Sequence, residues 1–418
     1  LEASLIGVFF FAWDRISAVQ HCLCTWLLAL ATNASALWIL IANAWMQNPV
    51  GATFNPVTMR METTSFFEIF FNPVAQAKFV HTVAAGYVTG SVFVLAVSAY
   101  FLIRKKNPEF AKRSLVVASS FGLASALSVV VLGDESGYIS TQNQKMKIAA
   151  IEALWKTGPA PAPLTLIGLP SLTTRSTEYE IQIPYALGII ATRSFSTPIL
   201  GIEELVEQNK GYIQEGISAY KALSELKKNP NNSEAQDFLH EHANRLGYAL
   251  LLKAQGIAPE HATAQQIQDT AWKTVPPKLW VLFWSFRIMV GCGLFFIFLF
   301  TFGFIQCSKR NFDHPWFYKI AMLAMPLPWI AGELGWIVAE YGRQPWVIEG
   351  ILPTALAHST ISVTQIMMSL MGFISFYSAL LIVDLYLMIK YIRKGPDRVL
   401  GIVASPKEIT QAPLRGAP

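Results

Sequence analysis

Long apolar runs broken by short polar segments dominate this chain, and their length decides the fold class. A bilayer core takes about 20 apolar residues in a helix. Runs of that size lie at 17–44, 79–103, 114–133, 279–306, 316–340 and 361–392, with a partial one over 1–13. Each predicts a membrane-crossing helix, so the expected fold is an all-α polytopic membrane protein, a transmembrane helical bundle. Between 133 and 279 the pattern changes. That stretch is polar and too long for a passive connector. It carries apolar residues at helical spacing over 202–228 and 233–253. Gly158-Pro-Ala-Pro-Ala-Pro163 reads as a stiff linker between its pieces. The expected organisation is membrane helices over 1–133, a long and partly helical loop domain over 134–278, membrane helices over 279–392, and a tail over 393–418.

Basic residues in short loops set the expected orientation. Arg104, Lys105, Lys106, Lys112 and Arg113 follow one span, Lys309 and Arg310 another, and Arg393, Lys394 and Arg398 the last. Alternating spans put these three segments on one side, which is read as the cytoplasm. The loops 45–78 and 341–360, with Arg60, Lys78 and Arg343, then face outward together with 134–278. The C-terminus is cytoplasmic on the same argument.

Composition narrows the function. The chain has 418 residues, 53% hydrophobic and 14% charged, against about 25% charged in soluble domains. That excludes an ordinary soluble enzyme, a disordered chain and a nucleic-acid binder. The four cysteines, Cys22, Cys24, Cys292 and Cys307, lie in or beside apolar runs and read as packing groups rather than a disulfide framework. The chain opens on Leu1 inside an apolar run, which reads as a chain lacking its true N-terminus.

Ionisable groups inside spans are expensive and mark function by default, with interhelical pairing or snorkelling as the competing reading. Glu2, His81, Arg287, Glu333, Glu340 and Asp384 qualify. His81 opens one span, and Met289 lies about ten residues into another that runs the same way, which sets both at similar depth. An imidazole and a thioether together suit a six-coordinate electron-transfer heme, although a membrane Met is more often filler. Arg287, two residues from Met289, suits a heme propionate. Glu333, Trp336, Glu340 and Arg343 are spaced by three and four and so share one helical face. A carboxylate there can ligate ferric iron and an indole can stack on a macrocycle; an Arg–Glu pair at a helix end is the plainer alternative. Thr25, Thr32 and Ser35 form a polar stripe that, with Glu2, reads as a proton path or as interhelical hydrogen bonding. Lys147 and Glu152 flank an apolar patch and could hold a quinol head group, or belong to an ordinary amphipathic helix. His240-Glu-His242 has two imidazoles that diverge, so it is not read as a metal site.

These segments carry a resemblance. Gly133-Asp-Glu-Ser-Gly-Tyr138, Lys147-Ile-Ala-Ala-Ile-Glu152, Ile183-Pro-Tyr-Ala-Leu-Gly-Ile-Ile-Ala-Thr-Arg193, Phe286-Arg-Ile-Met289 and Glu340-Tyr-Gly-Arg-Gln-Pro-Trp346 closely resemble subunit I of the cytochrome bd ubiquinol oxidases of the long quinol-loop type. The resemblance covers essentially the whole chain. It implies a terminal oxidase that oxidises ubiquinol or menaquinol at the outer face, reduces O2 to water, and builds a membrane potential with protons from the cytoplasm. It implies a low-spin heme b held by His81 and Met289, a high-spin heme b held by Glu340 beside Trp336, and a heme d. It implies quinol contacts from Lys147 and Glu152, a proton route through Glu2 and Ser35, and partners comprising a homologous subunit II and small accessory subunits. The family's first helices, with a histidine ligand and a further membrane glutamate, have no counterpart in this sequence, and Ala3 stands where the family often has Ser. A proton-coupled secondary transporter using Glu2, Glu333 and Asp384 is the alternative, and predicts internal symmetry that the sequence does not display.

Overall fold

The computed structural model describes residues 2–12 and 15–396. The ends of the first partial run at Leu1 and Trp13, the basic residue Arg398 and the tail from 397 lie outside the described residues.

The helices are α1 (Glu2–Phe11), α2 (Ala18–Gln47), α3 (Phe66–Phe70), α4 (Pro73–Ile103), α5 (Pro108–Asn143), α6 (Lys145–Glu152), α7 (Ala186–Thr192), α8 (Ile202–Lys228), α9 (Ser233–His242), α10 (Leu246–Lys253), α11 (Ala264–Trp272), α12 (Leu279–Ser308), α13 (Pro315–Leu323), α14 (Leu327–Trp336) and α15 (Val363–Lys394). Among them α2, α4, α5, α12 and α15 are each at least 30 residues long. At 1.5 Å per residue they reach about 45 Å or more, past the 30 Å hydrocarbon core. A sixth apolar segment, Pro315–Tyr341, is broken: α13 and α14 are followed by a π-helical turn, Ile337–Tyr341. Large apolar side chains such as Leu30, Trp38, Phe298 and Leu381 point outward, as side chains facing lipid must. Ser17 and Ser362 start α2 and α15 with capping boxes, each hydroxyl accepting from the backbone N–H three residues on while Gln20 and Gln365 reach back.

Three antiparallel hairpins interrupt the helices: β1 (Ala52–Asn55) with β2 (Arg60–Thr63), β3 (Leu164–Ser171) with β4 (Ser176–Ile183), and β5 (Trp346–Ile348) with β6 (Leu352–Pro353).

Two compact units emerge. The first joins 1–86, 125–294 and 329–358. Its main core packs α6 residues Ala149, Ala150 and Ile151 with Ile202, Val206 and Ile213 of α8, Leu252 of α10, Ala271 of α11 and Leu282 of α12. The second joins, of the described residues, 87–124, 295–328 and 359–396. In it Gly122 admits the ring of Phe300, which a Cβ would meet at 2.3 Å, and Phe302 gathers His314, Trp316 and Phe317 into an aromatic cluster.

Several boundaries differ from the expected ones. Helix α5 runs ten residues past 133, to Asn143, so Asp134–Asn143 continue a membrane helix rather than opening the loop domain. Lys78, expected in the loop 45–78, lies inside α4. Residues 233–253 are two helices joined by a 3-10 turn, Ala243–Arg245.

Candidate functional site

Helix α6 is the element from which the site is built. It follows α5 almost without a break and stops at Ala153, which adopts a left-handed backbone (φ 50). Its alanines and Ile151 anchor it in the core of the first unit. Lys147 and Glu152 are five positions apart, about 140° around the helix axis, and they leave it toward different neighbours. This corrects the expectation that they form one head-group clamp.

Lys147 is buried. Its Nζ donates to Gln47 Oε1 (3.4 Å), Gln144 Oε1 (3.2 Å) and the Ala339 carbonyl (3.2 Å). Burial pulls this ammonium down to about 8, with Glu340 and Glu349 opposing the fall. The neighbouring groups form a continuous polar network. Gln47 Nε2 donates to Asn43 Oδ1 at 2.9 Å, and Asn43 Nδ2 donates to Glu340 Oε1 at 2.8 Å. Lys78 Nζ also donates to Asn43 Oδ1, at 3.2 Å, and Glu340 is ion-paired with Arg343. Arg343 keeps Nε and Nη1 buried and without a hydrogen-bond partner among the described residues. Three basic side chains, Lys78, Lys147 and Arg343, thus surround Glu340, and two guanidinium donors are free to meet an anion.

Glu152 leads to a second cluster. Its carboxylate pairs with Arg287 Nη2 at 2.9 Å, and both side chains are under one-tenth exposed. Arg287 also donates to the carbonyls of Thr165, Ile151 and Phe283, so its fork is spent on this chain rather than left open for a propionate. Burial pushes the Glu152 carboxyl up while Arg287 holds it back. Two turns of glycine space flank the expected ligands. A Cβ on Gly133 would stand 3.2 Å from His81 Cε1, and one on Gly335 would stand 3.2 Å from Met289 Sδ. His81 Nδ1 is buried with no hydrogen-bond partner among the described residues.

A tetrapyrrole with carboxylate arms suits these groups. Its iron takes an imidazole nitrogen, a thioether or a carboxylate, its propionates take unpaired buried donors, and its plane needs backbone that comes close. His81 Nδ1, Glu340, the Arg343 fork and the two glycines are of that chemistry.

The remaining expected residues stand apart. Trp336 and Glu333 are exposed, whereas Glu340 and Arg343 are partly buried. The π turn adds a residue to the helical repeat, so the four positions do not share one face, as straight helical spacing predicted. Thr25 and Thr32 are exposed and donate to their own helix, at the His21 and Leu28 carbonyls. Their hydroxyls are therefore not interhelical bonds. Ser35 is also exposed on α2. Glu2 is half-buried on α1, a helix that packs on α2 through Phe9 and His21. His242 stacks on Phe238 and bonds its carbonyl, away from His240 as expected. Arg193 joins two of the resemblance segments: it pairs with Asp134 (3.0 Å) and Glu135 (2.6 Å) and covers the Tyr138 ring.

Sequence reasoning missed Asn43, Gln47, Lys78, Gln144 and Glu349. Only Lys78 carried a signal, a cation three residues before His81 and hence on the same side of one helix. The others are polar groups whose meaning depends on tertiary neighbours.

Comparison with known proteins completes the description. The family model for cytochrome bd terminal oxidase subunit I matches residues 1–396. The chain is 42% identical over 398 residues to cytochrome bd-II ubiquinol oxidase subunit 1 of Escherichia coli (strain K12), covering 95% of this chain and 77% of that one. It is 29% identical over 399 residues to cytochrome bd ubiquinol oxidase subunit 1 of Bacillus subtilis (strain 168), covering 95% and 73%. The solved bd oxidase from Geobacillus thermodenitrificans shares the fold, with a TM-score of 0.68 at 23% identity over 94% of this chain and 75% of that chain.

Proposed function

This chain belongs to the cytochrome bd terminal oxidase subunit I family, and from that premise we propose how its residues divide the work of a quinol oxidase. The chain is a multi-pass membrane subunit of a quinol:oxygen oxidoreductase of the respiratory chain, and hemes are expected in it as in the family. The relatives named above are oxidase subunits, and the transporter alternative has no support among them.

In this reading His81 and Met289 hold a low-spin heme b, Glu340 holds a high-spin heme b near Trp336, and a heme d is the third group. Arg343, with Lys78 and Lys147 behind it, meets propionate charge. Arg287 positions the Met289 segment through Glu152 and the carbonyls of β3 and α6. Hemes, when bound, supply one-electron acceptance and the reduction of O2.

The chain's own groups handle substrate and protons. Ubiquinol or menaquinol binds beside α6 at the outer face, where Lys147 orients a quinol oxygen and Glu152 keeps the Arg287 charge compensated. Glu2 and Ser35 lie on the route by which protons arrive from the cytoplasm. The loop domain that follows α5, through residue 278, is periplasmic and the C-terminus cytoplasmic. A homologous subunit II, small accessory subunits and lipid complete the assembly.

One observation carries the reading: a single short helix reaches the Glu340 network with Lys147 and the Arg287 cluster beside Met289 with Glu152. Electrons from a quinol held by α6 therefore start next to both proposed iron sites. The visible spectrum of the purified complex tests it. Soret and alpha bands with a red chlorin band, all bleached and restored by quinol and O2, are expected. A colourless intact complex refutes it.

A further inference from the structure

Glu349 is a carboxylate to which the reading above gives no role. It stands in the turn between β5 and β6, and its backbone N–H donates to the Met46 carbonyl at 2.9 Å, which ties the turn to the end of α2. Its side chain lines a cavity of about 190 Å³ together with Lys147, Gln144, Asn209, Tyr248 and Arg343. The rim includes the exposed residues Gln142, Lys145 and Gln208, so the cavity opens to water. On its inner wall Gln144 is buried, and its Nε2 has no hydrogen-bond partner among the described residues. A buried donor left unpaired on a cavity wall calls for an oxygen acceptor there.

We propose that Glu349 is a catalytic residue of quinol oxidation, taking the proton of a quinol hydroxyl bound in this cavity and passing it to water at the rim. The proposal rests on the quinol-oxidase reading and adds a residue to it. The quinol O–H bond breaks and a carboxyl O–H bond forms on Glu349. The bonding electron pair stays on the quinol oxygen, the two electrons of the quinolate then leave singly to the enzyme's heme-type oxidant, and the second hydroxyl proton is lost to water at the rim, which leaves quinone. Glu349 returns to carboxylate by losing the proton to water.

The surroundings suit a base at neutral pH. Burial pushes the Glu349 carboxyl up to about 7, with the charges of Lys147 and Arg343 holding it back. Lys145, Tyr212 and Tyr248 also line the cavity, and Tyr248 has its hydroxyl pushed far up by burial and by Glu349 itself, so it stays protonated. The Tyr212 ring packs edge-on to Tyr248, and Arg245 lies over the Tyr212 ring. A carboxylate with this affinity is half-ionised near pH 7 and therefore both accepts and releases a proton readily.

The test uses the whole purified oxidase, with a short-chain ubiquinol and, separately, with an ascorbate-reduced phenylenediamine that delivers electrons without protons. In Glu349→Gln the kcat with quinol should fall at least about tenfold, and the rise of kcat/KM with pH around 7 should vanish. Glu349→Asp should restore part of the rate and a rising limb. Turnover with the phenylenediamine and the heme spectrum should stay as in the unaltered enzyme. An unchanged quinol rate and pH limb in Glu349→Gln overturns the proposal. If that variant does not assemble, Glu349→Asp decides alone: a displaced limb is expected, and an unmoved one overturns the assignment. Failure of the unaltered enzyme to oxidise ubiquinol while it accepts electrons from the phenylenediamine would instead bring down the quinol reading, and the proposal with it.

Discussion

Replacing Glu152 by Gln while Arg287 remains should cost the assembled protein about 3 kcal/mol. The pair is under one-tenth exposed, and breaking a buried pair on one side costs about 3–5 kcal/mol because a charge is stranded. The low end applies because Arg287 keeps the carbonyls of Thr165, Ile151 and Phe283, and Gln retains one acceptor. Arg287→Gln should cost more, about 5 kcal/mol, since those carbonyls then lose their donor as well. The double variant strands no charge, so it should also cost about 5 kcal/mol rather than 8. The cycle therefore predicts an interaction of about 3 kcal/mol, roughly a 140-fold effect on an equilibrium constant. Denaturant unfolding of the purified complex, followed by absorbance of bound heme, measures all four corners. Additive losses in the double variant would refute the view that these two charges compensate each other.

Other outcomes are equally specific. His81→Ala should abolish the low-spin heme spectrum, and Met289→Leu should convert it to a high-spin one; a normal low-spin spectrum in Met289→Leu defeats that ligand assignment. Burial lowers Lys147 to about 8, so its cation is present below that pH and lost above it. KM for quinol should rise as pH climbs through 8, and Lys147→Arg, which stays charged, should flatten the rise; an identical pH profile in both proteins removes Lys147 from quinol binding. Glu2→Gln should slow O2 consumption more than it slows heme reduction by quinol, and sealed vesicles of the unaltered enzyme should build a potential with about one charge moved per electron. Electroneutral turnover would rule out the cytoplasmic proton route.

The fold was legible where hydrophobic length and period speak directly. Helix α8 spans Ile202–Lys228, the range its apolar spacing predicts, and the long apolar runs became long helices. Boundaries failed where polarity was taken for the end of a helix. Residues 134–143 are polar yet carry no helix-breaking proline, so α5 continues through them. The π turn at Ile337–Tyr341 leaves no periodic trace, and it is what separates Glu340 from Trp336. The candidate site was legible as chemistry but not as neighbourhood. Lys147 and Glu152 stood out by type, yet their divergence depends on which side of α6 the core covers. Asn43 and Gln47 sit in an apolar helix as ordinary amides, and only the approach of Glu340 and Lys147 makes them a network.

Helix α6 has a further consequence. Eight residues long, it is held at its middle by Ala149 and Ala150, both fully buried, and closed by a left-handed Ala153. A rod so short and so tightly clamped moves as one piece. On the proposed reading, a quinone that displaced its Lys147 end would shift the contacts of its Glu152 end, and a change of charge beside Arg287 would shift the cavity in return. Binding free energies obey reciprocity, so the factor by which one event alters the other is the same in both directions. On the proposed reading, the redox state on one side of α6 and the occupancy of the cavity on the other would be two handles on a single equilibrium.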